Sequence, residues 1–167
     1  MQYTTSSIGL AAIDQMYRGL NTVLDKAAAQ AKAAGVDETV YTSWRLAPDM
    51  FTMARQVQIA CDIAVRGFAR LAGETPPSFP DTETTFDQLK ARIAKAHAAI
   101  KDYDKAKIDA NPDGDITVPM GDNSLTLKRH QYMQNFVMPN VYFHVTAAYL
   151  NLRNCNVPIG KGDFMGR

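Results

Sequence analysis

The chain has 167 residues, with 18 Lys and Arg against 17 Asp and Glu, a net charge of +1. That balance excludes the basic surplus of a nucleic-acid binder, and a chain 46% hydrophobic and 21% charged is not disordered throughout. Two cysteines cannot build a disulfide scaffold, and three histidines cap any histidine-based metal site at three ligands.

The length predicts a single domain spanning residues 1–167. Met1–Ser7 carries neither a basic region nor an apolar core, so no signal peptide is expected. No stretch nears the roughly 18 uncharged apolar residues of a membrane span, so no membrane association is expected. Cys61 and Cys155 lie outside any CxxC pair. They read as two reduced thiols of a cytoplasmic protein.

Four long segments carry helical periodicity. The first runs from about Thr5 to Ala34, with Leu10, Ile13, Met16, Leu20, Val23 and Ala27 recurring at steps of three or four. Ser6 or Ser7 is expected to cap it and Gly35 to stop it. In the connector that follows, Asp37 can cap one short helical turn. The second helix is expected from Pro48, a favourable first position, to Ala72, with Gly73 as its stop. Its main stripe is Met50, Met53, Ala54, Val57, Cys61, Ala64, Phe68 and Leu71. A second stripe holds Ile59, Ala60, Ile63 and Gly67.

Glu74–Pro80 contains three prolines and reads as a loop. Asp81 or Thr82 is expected to cap the third helix, which runs to about Ala110 with Phe86, Leu89, Ile93, Ala96, Ile100 and Tyr103 inward. Asn111-Pro112-Asp113-Gly114 is turn chemistry. Ile116–Met120 and Ser124–Lys128 around Gly121-Asp122-Asn123 predict a small β-hairpin, which Pro119 confines to edge pairing. A helical turn over residues 129–137 leads to Pro139, which should start or kink the fourth helix, ending near Arg153. The glycine-rich tail, residues 154–167, is expected to be irregular, with Phe164 anchoring it. Four amphipathic segments with little strand signal predict an all-α four-helix bundle carrying a hairpin insertion before the last helix.

Candidate chemistry centres on His144. On the helical wheel it shares a polar track with Asn140 and Asn151, and Tyr149 lies on the opposite flank. Gln58 sits between a polar stripe and the core edge of the second helix. These five residues are the expected lining of a ligand pocket. His144 would serve there as general base or metal ligand, or else be a bonded core histidine. His130 follows the hairpin and is a second metal candidate if the chain bends it toward His144. His97 reads as a boundary histidine. Asp62, between Arg55 and Arg66, reads as part of a solvated ion-pair stripe. Neither His-x-x-x-His nor Glu-x-x-His occurs, and glutamate is limited to Glu38, Glu74 and Glu83, so a carboxylate-bridged di-iron site is not expected. Gly160-Lys161-Gly162 lacks the spacing of a phosphate loop. The second stripe of the second helix has a counterpart in Phe143, Ala147 and Leu150 on the fourth; the neighbouring helices, the hairpin or a second copy of the chain would cover both, the last most simply as a two-fold homodimer.

Several motifs together look familiar: Arg45-Leu46-Ala47-Pro48-Asp49-Met50-Phe51, Arg70-Leu71-Ala72-Gly73, Pro139-Asn140-Val141-Tyr142-Phe143-His144-Val145-Thr146, Ala148-Tyr149, Leu152-Arg153 and Gly160-Lys161-Gly162-Asp163-Phe164. They span essentially the whole chain. The chain resembles an uncharacterised bacterial domain-of-unknown-function family of the DinB/YfiT-like superfamily. The resemblance implies an up-down-down-up four-helix bundle, often homodimeric. For the wider superfamily it implies divalent-metal chemistry, in some members thiol-dependent transfer or isomerisation. The superfamily's usual site has three histidines, one from the second helix and two on the fourth with three residues between them. Here only His144 matches. The second helix offers Gln56 and Gln58, and Ala148 fills the partner position. The expectation is therefore a small-molecule-binding bundle with no resident cofactor, Zn²⁺ or Ni²⁺ being the alternative. A noncatalytic dimerisation or partner-binding bundle and a metal- and thiol-dependent transferase are the other readings.

Overall fold

The computed structural model describes residues 3–167 and is mostly helical, with one small antiparallel sheet before the last long helix. Helix α1 spans Thr5–Ala34. Thr4, not Ser6 or Ser7, is its cap: Thr4 is extended and its side chain accepts from the Ser7 amide, while the Ser7 hydroxyl returns the bond. The Ser6 hydroxyl is engaged elsewhere, donating to Asp109 at 2.6 Å. Gly35 closes α1 in the left-handed conformation at φ 63°, and Asp37 caps the short α2, Glu38–Thr42.

Helix α3 spans Met53–Ala72 and stops at Gly73. It begins five residues after Pro48, because extended Thr52 accepts from the Arg55 amide and the Met53 amide is drawn to the Trp44 carbonyl at 2.8 Å. Helix α4 covers Phe86–Asp102 and starts later than Asp81 or Thr82 would give, because Thr85 and Gln88 form a capping box. It also ends earlier. Tyr103 turns extended and tucks its ring into the core, and Asp104 caps the separate α5, Lys105–Asp109.

Strands β1, Asp115–Met120, and β2, Asn123–Lys128, pair around Gly121-Asp122, with Ile116 opposite Leu127 and Val118 opposite Leu125. Ile116 and Val118 point into the core. The return to helix is continuous: α6, Arg129–Gln131, runs through a π-helical segment, Tyr132–Val137, into α7, Met138–Asn154. The tail forms a short helix, α8, Lys161–Phe164, which the glycine content had hidden.

The four long helices touch as a closed ring: α1 packs on α4 and α7, and α3 packs on the same two. One core cluster runs through them, from Ile13, Leu20 and Leu24 to Val57, Phe68, Leu89, Val141 and Leu152. Gly67 belongs to the second stripe of α3, and a methyl there would lie 2.7 Å from Val137, so the π-helical segment covers that end of the stripe. Among the described residues, no helix is long and apolar enough to cross a membrane.

The tail docks on α1. Phe164 meets Tyr149 edge-on at 5.6 Å, and Asp163 pairs with Lys26 at 2.7 Å. A Cβ at Gly19 would stand 1.9 Å from the Phe164 carbonyl oxygen. Gly19→Ala should therefore displace α8 and cost about 1–3 kcal/mol of stability. Chemical denaturation measures the loss, and faster proteolysis of residues 158–167 locates it.

Candidate functional site

Near the start of α3, Gln56 faces α7 and is buried. Its amide nitrogen donates to the Phe51 carbonyl at 3.4 Å, which leaves its oxygen toward His144 Nδ1 at 2.6 Å. A carbonyl only accepts and the Gln56 oxygen only accepts, so the His144 hydrogen sits on Nδ1. Nε2 then carries the lone pair, and it has no hydrogen-bond partner among the described residues. Burial, and secondarily the charge of Arg55, lowers the His144 pKa, which favours the neutral ring. Phe143 stands edge-on to this imidazole at 5.2 Å.

The expected companions of His144 do not gather around it. Asn140 donates to the Phe136 carbonyl of its own helix at 2.7 Å, and buried Asn151 to the Ala147 carbonyl at 2.9 Å. Tyr149 packs on Phe164. Gln58 turns to the other side, donating to Glu83 at 3.0 Å and accepting from Arg55 at 3.3 Å. His130 remains near the hairpin: its Nδ1 donates to the Pro112 carbonyl at 3.0 Å, and it lines a separate cleft with Tyr3, Asp109 and Met133. His97 pairs with Asp14 of α1 at the edge of the core.

Sequence reasoning missed Arg92. It is only 2% exposed, on the inner side of α4 between Leu89 and Ile93. One guanidinium nitrogen donates to Glu83 at 3.1 Å and 3.2 Å and to the Pro80 carbonyl at 3.0 Å. The other reaches Asp62 at 2.6 Å and Asp81 at 3.0 Å. Phe79 lies over the group at 5.6 Å. Asp62 keeps its pair with Arg66 at 3.7 Å through one oxygen, but it is largely buried and its other oxygen is on Arg92. It faces inward because a buried cation there must be matched by carboxylates. The available signal was positional, since Arg92 stands three residues after Leu89 in the apolar phase of α4.

Beside this cluster lies an open cleft of about 610 Å³, walled by Arg45, Phe51, Arg55, Gln58, Asp81 and Glu83. Phe51 and Arg55 connect it to His144, the first through the Gln56 bridge and the second through its charge.

Residues 7–165 match the family described as "Domain of unknown function (DUF1993)". The chain belongs to that family. A solved relative of this DUF1993 chain, titled as a DinB family member from Shewanella denitrificans, is 38% identical, covers 95% of this chain and 89% of its own, and superposes with a TM-score of 0.86. No curated protein matches the chain.

The residues present do not fit the superfamily's three-histidine metal site. His144 Nδ1 is occupied by Gln56, residue 148 is alanine, and among the described residues no group of three His, Cys, Asp or Glu is arranged to hold a metal ion. Cys61 supplies no reactive thiol of its own, since burial pushes it up to about 12.

Two outcomes follow. Arg92→Met leaves Asp62, Asp81 and Glu83 facing one another and should cost about 3–5 kcal/mol, read by chemical denaturation. The lowered His144 pKa contributes stability that is present above the ordinary imidazole value of 6.5 and is lost as pH falls through the folded value. The acid-side slope of stability against pH should therefore flatten in His144→Gln, as urea melts across that window measure.

Proposed function

We propose that this DUF1993 protein is a single-domain, up-down-down-up four-helix bundle of the cytoplasm that binds a small molecule in the cleft beside His144 without a resident metal. The observation that carries this reading is the Gln56 bridge. Gln56 holds the imidazole in one tautomer, with Nε2 as a neutral acceptor, and ties it to Phe51, whose exposed ring stands in the cleft wall. Pockets that bind small molecules combine apolar walls with a few oriented polar groups, and the cleft wall of Phe51, Arg55 and Gln58 has that composition. The metal- and thiol-dependent transferase reading lacks its ligand set in this chain.

A second reading is favoured by a different observation. On α7, Phe143 is 59% exposed and Leu150 44%, with Tyr142 also exposed, an apolar face that a second copy would cover as a homodimer.

A fragment screen followed by amide and imidazole NMR tests the first reading. Ligands should shift residues 50–58 and the His144 ring, and His144→Gln should weaken them about tenfold, the worth of one hydrogen bond to a buried group. Untagged protein titrated with Zn²⁺ or Ni²⁺ should hold less than about 0.1 equivalent. Stoichiometric metal lost in His144→Gln would overturn the metal-free reading. Sedimentation addresses the second reading: wild type should be a dimer, and Phe143→Asp a folded monomer.

A further inference from the structure

The segment between α3 and α4 is tied down in an unusual way. After the Glu74 amide bonds back to Ala69, no backbone–backbone hydrogen bond among the described residues holds residues 75–83. Their attachments are to side chains. The buried Arg92 holds Glu83, Asp81 and the Pro80 carbonyl, and Gln58 holds Glu83 from the other side. Asp81 differs from Glu83 in one respect. Its two carboxylate oxygens serve two different arginines, Oδ1 on Arg92 and Oδ2 on Arg55. The Arg92 contact is buried on the arginine side, while the Arg55–Asp81 contact is solvent-accessible on both sides, at 37% and 39%.

We propose that Arg55 is an exchangeable anion-binding group and that the cleft takes a small carboxylate with an apolar or aromatic body. In this exchange the ligand carboxylate replaces Asp81 on Arg55. Asp81 keeps its bond to Arg92 and is 39% exposed, so water screens the charge that Arg55 no longer matches and the exchange costs little. Arg55 remains oriented after the exchange because Gln58, itself buried, accepts from the same nitrogen. The apolar body of the ligand lies on Phe51, which is 54% exposed in the same wall. Glu83 and Asp62 are held by Arg92, Asp62 also by Arg66, and Arg45 adds a second cation to the cleft wall. A guanidinium offers a planar fork that suits a carboxylate in two-point contact, which a lysine would not. The inference rests on the cleft beside His144 being a ligand site, and it adds the class of ligand and the residue that selects it.

The experiment uses benzoate as the carboxylate probe and benzamide as its neutral counterpart, each titrated into the full chain with amide NMR as readout. Benzoate should shift residues 50–58 and 81–83 in the millimolar range, and added salt should weaken it. Benzamide should bind at least about tenfold more weakly, as expected when a charge-assisted pair is lost. Arg55→Gln should abolish the preference for benzoate. Asp81→Asn should tighten benzoate about threefold or more by removing the internal competitor. Asp49→Asn, an equal change of charge in the same cleft, should not reproduce that gain. Equal binding of the two probes, or equal effects of Asp81→Asn and Asp49→Asn, overturns the exchange at Arg55 while leaving a ligand site in place. Absence of cleft shifts with benzoate also overturns the carboxylate class. The reading of the cleft as a ligand site stands or falls separately, on the fragment screen and the His144→Gln variant. Dispersed amide spectra of each variant confirm that it is folded.

Discussion

A guanidinium as buried as Arg92 is tolerated only where carboxylates and carbonyls surround it, because an isolated charge in a protein interior costs several kcal/mol or more. Meeting that demand organises one whole side of the molecule. Asp62 is drawn inward from α3, Glu83 and Asp81 are drawn down from the inter-helix segment, and Pro80 contributes its carbonyl. The proline-rich segment 74–85, which has almost no backbone bonding of its own, gains a fixed path. That path forms one wall of the cleft. The other wall is the start of α3, whose position follows from the Thr52 cap and the Met53–Trp44 bond.

His144 is governed by the same logic on a smaller scale. A buried imidazole requires a partner, and Gln56 supplies one across the α3–α7 contact. In the superfamily's usual site, histidines would occupy these neighbouring positions and a metal would satisfy them. This chain has glutamine on α3 and alanine at residue 148, and a hydrogen bond satisfies the ring instead. The ring is left oriented and neutral, a state suited to accepting a hydrogen bond or a proton from a ligand. The cation that acts on it, Arg55, is shared with the carboxylate network, so the imidazole and the ion cluster are linked through one side chain.

Much of the fold was legible in residue patterns. Periodicity located all four long helices, and the terminators Gly35 and Gly73 were readable because a left-handed residue is cheap only for glycine. Starts were less legible. Thr4, Thr52 and Thr85 beat Ser6, Pro48 and Asp81 as caps, although each alternative is a good cap or first residue by type. The choice depends on which hydroxyl is extended toward the first free amides, and that depends on where the preceding chain is packed. Asp62 was misread for a related reason. A helical wheel gives its angle but not the identity of its neighbour on another helix. The polar track of Asn140, His144 and Asn151 shares one face of α7, yet only His144 has a partner across the interface, since the two asparagines bond back to their own helix.

The sequence by itself determined the local and compositional features: the helices and their glycine stops, the hairpin, the absence of a three-histidine set, and a near-balanced charge. These are properties of neighbours in the chain, where backbone geometry and side-chain period act over a few residues. Tertiary structure alone decided that Arg92 is buried, that Asp62 turns inward, that Gln56 selects the His144 tautomer, and that Gly19 seats the tail. Each of these joins residues far apart in the chain. Each depends on a desolvated polar or steric contact whose energy exists only once the helices are packed.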